Sequence, residues 1–356
     1  VYAEAVLAAA DAAALVGFVD DGEGVLAVGA LRALRGWSDL DAPGEWFVAL
    51  PYAFPEQPGR AWDLGAARRL PLRPCAVPAP RARAVAAAWD AAGHAARVRA
   101  ALDTIAAGGC YELNLACTWR IALEPHPHPD LALHLALLAA DPAPFACVAR
   151  GGGAALVGNS PELFLAVADG RAEVRPIKGT RRREPGREAA VRAELDASPK
   201  ERAELAMIVD LMRHDLGRVA LPGGVQVEHP GSIIDLPHLH HRVATVSARL
   251  RPEAPLSQVV AACFPAGSIT GAPKLAAMRR IAELEGAGRG HWCGAYGTVG
   301  GGRCRLAVAI RTVEFADGGL VLRAGGGIVA DSDPVAEWEE ARANAQGIAA
   351  VLGAGI

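Results

Sequence analysis

The chain has no long apolar run, no large excess of charge of either sign and no Cys-x-x-Cys pair, and each absence narrows what it can do. The longest apolar stretches, such as Leu131 to Ala140, contain a histidine and stop far short of the roughly 20 residues a membrane span needs, so no membrane partner is expected. A formal net charge of −3 spread over 356 residues gives no field to hold a polyanion, which argues against nucleic acid. Seven cysteines (Cys75, Cys110, Cys117, Cys147, Cys263, Cys293 and Cys304) are odd in number and scattered, so they read as reduced core residues, not zinc ligands or a disulfide framework. The segment from Val1 carries Glu4 and Asp11 and no basic stretch ahead of an apolar core. No secretory signal is expected, and the chain reads as soluble and cytoplasmic.

What is present is strand groups punctuated by single helices, an α+β pattern and not the strict alternation of a doubly wound sheet. Residues 1 to 70 read as an Ala-rich helix followed by strands around Phe18, Val25 to Val28 and Trp46 to Leu50. A Pro-rich loop spans Pro71 to Pro80, and the pattern predicts a helix from about Arg83 to Ala107, ended by Gly108-Gly109. Strands are expected at Tyr111 to Ile121, Phe145 to Ala149, Ala155 to Val157, Leu163 to Val167 and Ala172 to Ile177. A helix from Pro199 to about Gly217 follows, with Leu205, Ile208, Val209 and Met212 at helical spacing. Beyond it are a helix from Ala272 to Leu284, strands at Trp292 to Val299, Arg305 to Phe315 and Leu320 to Ala324, and a last helix from Pro334 to Leu352. The stretches Gly151-Gly152-Gly153 and Gly300-Gly301-Gly302 read as hairpin tips, since neither opens a helix as a phosphate loop would.

Several residues stand where they could carry chemistry. Lys178 lies between a strand-like segment and Gly179, ahead of Arg181, Arg182 and Arg183, and burial with cationic neighbours would lower its pKa toward that of a nucleophilic amine. The plain alternative is a solvated lysine at a strand end. Glu201 with Glu204, and Glu337 with Glu340, are each three residues apart near the start of a helix, so each helix presents two carboxylates in one direction. Faces of this kind, if they meet, offer oxygen only, which suits magnesium; otherwise the glutamates simply complement the helix dipole. Gly267 to Lys274 and Gly325-Gly326-Gly327 resemble anion cradles of bare backbone amides, and Arg311 has the fork that pairs with a carboxylate.

Taken in order, Pro176 to Arg183, Lys200-Glu201-Arg202-Ala203-Glu204 running into Met207 to Arg213, Gly267 to Lys274, and Ala324 to Pro334 with Glu337 and Glu340 resemble the chorismate-binding enzymes. These comprise anthranilate synthase component I, aminodeoxychorismate synthase component I and the isochorismate and salicylate synthases. The match covers about 105–350, with 1–100 matching loosely, and implies one large α+β domain over 1–356. Its architecture would be two orthogonally packed antiparallel sheets flanked by helices, with the site in a cleft.

The resemblance implies Mg2+ held by Glu204 and Glu340 with Glu201 and Glu337 close by, and chorismate carboxylates held by Arg311 and the amides of Gly326 and Gly327. Thr270, Gly271 and Ala272 would line the ring, and His241 would assist there. Lys178 corresponds to the lysine of aminodeoxychorismate synthases, proposed to attack ring carbon 2, where anthranilate synthases usually carry alanine. Glu162, in Ser160-Pro161-Glu162-Leu163-Phe164, would protonate the departing hydroxyl. Isochorismate and salicylate synthases use another lysine, at the position of Glu112, which disfavours that branch. Thr298, Asn344 and His214 depart from the family's usual tyrosine, lysine and asparagine. No glutaminase-like segment is recognisable, so a separate glutamine amidotransferase subunit is implied as the ammonia source. His238 and His240 read as surface residues.

Overall fold

The computed structural model describes residues 1–20, 22–73, 77–235, 239–316 and 318–356, so Cys75 and His238 lie outside the described residues. Among these residues the strands form two antiparallel sheets, each ten-stranded. The first runs, neighbour to neighbour, Gly271–Ala272, Glu112–Leu123, Gly319–Ile328, Thr312–Ala316, Ala154–Ser160, Phe145–Gly151, Leu15–Asp20, Glu23–Val28 and Arg68–Pro71, with Ala82–Ala87 also on Glu112–Leu123. The second runs Ile177–Arg182, Leu239–Leu250, Arg171–Val174, Leu163–Ala168, Arg303–Val308, Ala295–Gly300, Glu45–Leu50, Gly59–Asp63 and Leu31–Leu34, with Ala220–Asp235 also on Leu239–Leu250.

The sheets pack through apolar inner faces. Val16, Phe18 and Ala149 of the first meet Phe47, Ala49, Trp62 and Tyr296 of the second, and the Phe18 and Phe47 rings lie 5.0 Å apart. The helix Pro199–Gly217 starts where the sequence predicts: Ser198 Oγ accepts from the Glu201 amide and Pro199 takes the first turn. Leu205, Ile208, Met212 and Leu216 are buried along one stripe, each worth about 1.5–3 kcal/mol of transfer free energy. Pro334–Leu352 is capped by Asp333, whose side chain accepts from the Val335 and Ala336 amides, and buries Ala341, Ala345, Ile348 and Leu352 against the first sheet.

Three expected elements differ, the simplest being the strand expected from Ala172 to Ile177, which is Arg171–Val174 with a new strand opening at Ile177. The predicted helix from Arg83 is a strand, Ala82–Ala87, and a helix, Ala91–Ala106, with Asp90 accepting from the Gly93 amide as N-cap. Ala82–Ala87 finds a strand partner in Glu112–Leu123, while the Asp90 cap fixes the later helix start. The single strand expected from Arg305 to Phe315 is broken into Arg303–Val308 and Thr312–Ala316. The two halves belong to different sheets. A second crossing of this kind joins Ala154–Ser160 of the first sheet to Leu163–Ala168 of the second. The glycine hairpin tips are as expected, with Gly152, Gly153, Gly301 and Gly302 all at positive φ.

Candidate active site

Each crossing between the sheets delivers one side chain to a common cleft of about 180 Å3. The crossing after Ser160 gives Glu162 and the one after Val308 gives Arg311, whose φ of 47° puts a non-glycine residue in the left-handed region. Ile177, Lys178 and Thr180 enter from the second sheet, with His241 beside them, and Ala324 to Gly327 enter from the first. Glu340 and Asn344 close the cleft from the last helix.

Lys178 sits in a bulge: Ile177 pairs with Val243 and Thr180 with His241, so the intervening residues are out of register. Gly179, at φ 88°, makes that turn, and a Cβ there would lie 2.7 Å from Glu201 Oε2. The Lys178 amine donates to Glu112 Oε1 at 2.5 Å, with side-chain exposures of 12% and 2%. Glu112 Oε2 is buried and accepts no hydrogen bond.

The expectation of a lowered lysine pKa is corrected here. Burial is the largest single effect and does push the pKa down, but Glu112 by charge and hydrogen bond, with Glu204 and Glu162, raises it overall. The resting amine is an ammonium. Its neighbours that decide the outcome are carboxylates, not the arginines that follow it in sequence.

Glu162 is 4% exposed, accepts from Ser268 Oγ at 2.6 Å, and burial raises its pKa to about 7 against the pull of that bond and of Lys178. A carboxyl that titrates near neutrality can hold or give a proton. His241 is lowered to about 4 by burial and by Arg311, so it is a neutral imidazole at pH 7. Its Nδ1 is 2.8 Å from Thr180 Oγ1 and its buried Nε2 has no partner. His240, expected at the surface, is 2% exposed, with Nδ1 2.6 Å from Asp235 Oδ1.

The glycines of Gly319–Ile328 press against acidic groups. A Cβ on Gly326 would lie 2.8 Å from Glu340 Oε1 and 3.3 Å from Glu337 Oε2, and one on Gly327 would lie 2.6 Å from Glu112 Oε1. Glu201 bridges to Arg181 at 2.7 Å through Oε1, and its Oε2 is buried with no partner. Among the described residues no three His, Cys, Asp or Glu side chains converge to form a cage by themselves. The chemistry of the donor set would suit magnesium: the donors are all oxygen, Glu201 Oε2 is a buried carboxylate oxygen without a partner, and this ion is commonly held by one or two carboxylates with water and an anionic substrate.

Thr270, Gly271 and Ala272 lie behind the cleft wall. Thr270 is fully buried with Oγ1 on Ala266 O at 3.0 Å, and Gly271 and Ala272 pair with Leu113 and Glu112. Ser268 and Ile269 of the same loop line the cleft instead. Lys274 is held away from it by Asp215 at 2.6 Å. Thr298 borders a separate small cavity with Phe18 and Arg305, and the Tyr296 hydroxyl donates to Phe145 O at 2.7 Å, so neither faces the cleft. Asn344 does face it, and its side chain donates to Gly325 O at 2.9 Å. Sequence reasoning passed over Arg323, Asn114 and Trp292, which also line the cleft. Of these only Arg323 carried a signal, a charge two residues before a glycine run on a strand.

A carboxyl that titrates near neutrality beside a buried amine, with a guanidinium and bare amides around them, suits acid catalysis on a small anionic substrate. That is an enzyme's arrangement. The chain belongs to the chorismate binding enzyme family, whose signature spans residues 47–350. It is 42% identical over 236 residues to aminodeoxychorismate synthase component 1 of Klebsiella aerogenes, covering 65% of this chain and 52% of that protein. It is also 42% identical over 248 residues to anthranilate synthase component 1 of Streptomyces coelicolor, covering 68% and 48%. The chain thus spans about half the length of these curated relatives. In fold it is similar to the menaquinone-specific isochorismate synthase of Escherichia coli, with a TM-score of 0.83 at 18% identity over 98% of this chain and 91% of that one. Anthranilate synthase component I of Streptococcus pneumoniae gives a TM-score of 0.73 at 23% identity over 93% and 81%.

Proposed function

We propose that the chain acts as aminodeoxychorismate synthase component I, converting chorismate and ammonia to 4-amino-4-deoxychorismate. The observation that carries this reading is the Lys178 amine, buried in the cleft between Glu112 and the neutral-range Glu162. Transfer of the ammonium proton to Glu112 Oε1, 2.5 Å away, frees the amine. The amine bonds to ring carbon 2 as the 4-hydroxyl leaves as water with the proton of Glu162. Ammonia then bonds to carbon 4 and expels the lysine amine; the new ammonium gives a proton to Glu162 and the freed amine takes back its proton from Glu112, which restores the enzyme. Arg311 and the amides of Gly326 and Gly327 hold carboxylates, and neutral His241 offers Nε2 at the ring.

Glu204 and Glu340 would hold Mg2+, with Glu201 and Glu337 near it, and the ion would supply positive charge for gripping a substrate carboxylate. Ammonia comes from a separate glutamine amidotransferase subunit, a reading supported by the words "component 1" in the relatives' names, and free ammonium replaces it in vitro.

Mass spectrometry of products after incubation with chorismate, magnesium and ammonium tests the reading. The expected product is aminodeoxychorismate. Anthranilate with pyruvate would support the second reading, anthranilate synthase component I, which the Streptomyces relative favours and Lys178 opposes. Bound but unaltered chorismate would make the chain a non-catalytic binding module.

A further inference from the structure

Arg311 is read above as the guanidinium that takes a substrate carboxylate, and an acid from another element already faces it. Asp141 Oδ2 lies 3.7 Å from Arg311 Nη1, with the Asp141 side chain 51% exposed and that of Arg311 29% exposed. At that separation there is charge attraction without a hydrogen bond, so the contact occupies none of the Arg311 N–H groups.

The backbone holds the acid in this place. Asp141 follows the helix Pro129–Ala140, and its amide donates to Leu137 O at 2.9 Å. Asn159, 3% exposed, donates through Nδ2 to Asp141 O at 2.8 Å and accepts from the Ala143 amide at 3.2 Å. The amide of the same Asn159 donates to Arg311 O at 2.9 Å. One buried asparagine thus ties the Asp141 turn to the left-handed Arg311 backbone, and the acid faces this guanidinium as part of the fold.

The pair adds little to folding, because half of the Asp141 side chain is in water. Its effect falls on the ligand. A carboxylate bound to Arg311 at the usual distance of about 2.7–2.9 Å would share the cation with Asp141, with the two anions about 6–8 Å apart. Binding then works against either their repulsion or the turning of Asp141 away into solvent.

We propose that Asp141 is a built-in competitor for Arg311: it stands in for the substrate carboxylate in the empty cleft and lowers the affinity with which that carboxylate binds. Taking the carboxylate to be chorismate's rests on the function proposed above, whereas the competition holds for any carboxylate at Arg311.

The test is isothermal titration of chorismate in magnesium without ammonia, and of benzoate as a plain ring carboxylate, for wild type, Asp141→Asn and Asp141→Glu, alongside KM, kcat and thermal melts. Removing the charge should lower Kd and KM about 3- to 10-fold, with kcat nearly unchanged because ground and transition states gain alike. The advantage of Asp141→Asn should shrink as salt rises, and Asp141→Glu, which keeps the charge, should bind as wild type does. A folded Asp141→Asn that binds both ligands no tighter than wild type overturns the inference, and weaker binding makes Asp141 a support of Arg311 instead. An equal gain in Asp141→Glu overturns it as well, since charge is then not the cause. If benzoate binds more tightly to Asp141→Asn while chorismate binds to none of the proteins, the proposed function falls and the competition stands. If neither ligand binds any of them, both fall.

Discussion

At the residue scale, Glu162 and the Lys178–Glu112 pair make opposite demands on pH. Glu162 must be protonated to act as the acid, and its pKa is about 7, so kcat should fall as pH rises through that value. Glu162→Gln should lose about 10²- to 10⁴-fold in kcat and the descending limb with it, read from kcat across the pH range. Lys178 must lose its proton, and Glu112 is what holds that proton on most strongly. Glu112→Gln removes the main opposition to desolvation, so the amine should become reactive at lower pH than in wild type. Because the sequence holds only Lys178, Lys200 and Lys274, acylation followed by peptide mass spectrometry resolves this residue directly. An unchanged or upward-shifted profile would contradict the pairing. The sequence pointed to Lys178, which the structure brings into the cleft, but gave the wrong sign to its pKa. The cause is distance along the chain: Glu112 is 66 residues earlier and on the other sheet, while the arginines next in sequence do not decide the amine's charge.

At the element scale, local patterns placed what local physics controls. The helix Pro199–Gly217 and the helix Pro334–Leu352 have capping side chains at their first turns, and both were legible to the residue. Removing the cap with Asp333→Ala should cost about 1 kcal/mol in urea unfolding, since two amides lose their acceptor. The break at Arg311 was not legible, because a strand that changes sheets keeps its apolar alternation while its backbone turns. Gly327 offers a sharper check of the Lys178 and Glu112 contact. Gly327→Ala adds a methyl that would lie 2.6 Å from Glu112 Oε1 and 3.0 Å from Lys178 Nζ, so the pair must part. The chain should remain folded by circular dichroism while the proposed formation of aminodeoxychorismate drops about tenfold or more.

At the scale of the whole molecule, one buried arginine ties the layers around the cleft. Arg289, 3% exposed, donates to Ile269 O at 3.0 Å, to Asn114 O at 2.8 Å and to Glu285 at 2.6 Å, and it lies 4.8 Å over the ring of Tyr52. Arg289→Leu strands the Glu285 charge and should destabilise by about 3–5 kcal/mol in denaturant melts, with much of the loss returned in Arg289→Leu/Glu285→Leu. The α+β class and the run of motifs through the second half were readable from periodicity and resemblance. The common site of Glu162 and Arg311 was implied by the resemblance alone, and the contact of Glu112 with Lys178 was not legible, because it joins distant segments on different sheets.

The contact between Lys178 and Glu112 joins the second sheet to the first. It therefore works as a gauge of how the sheets are seated, since a slide of one against the other changes the length of this contact. Reactivity of a single amine then reports how the two sheets are seated.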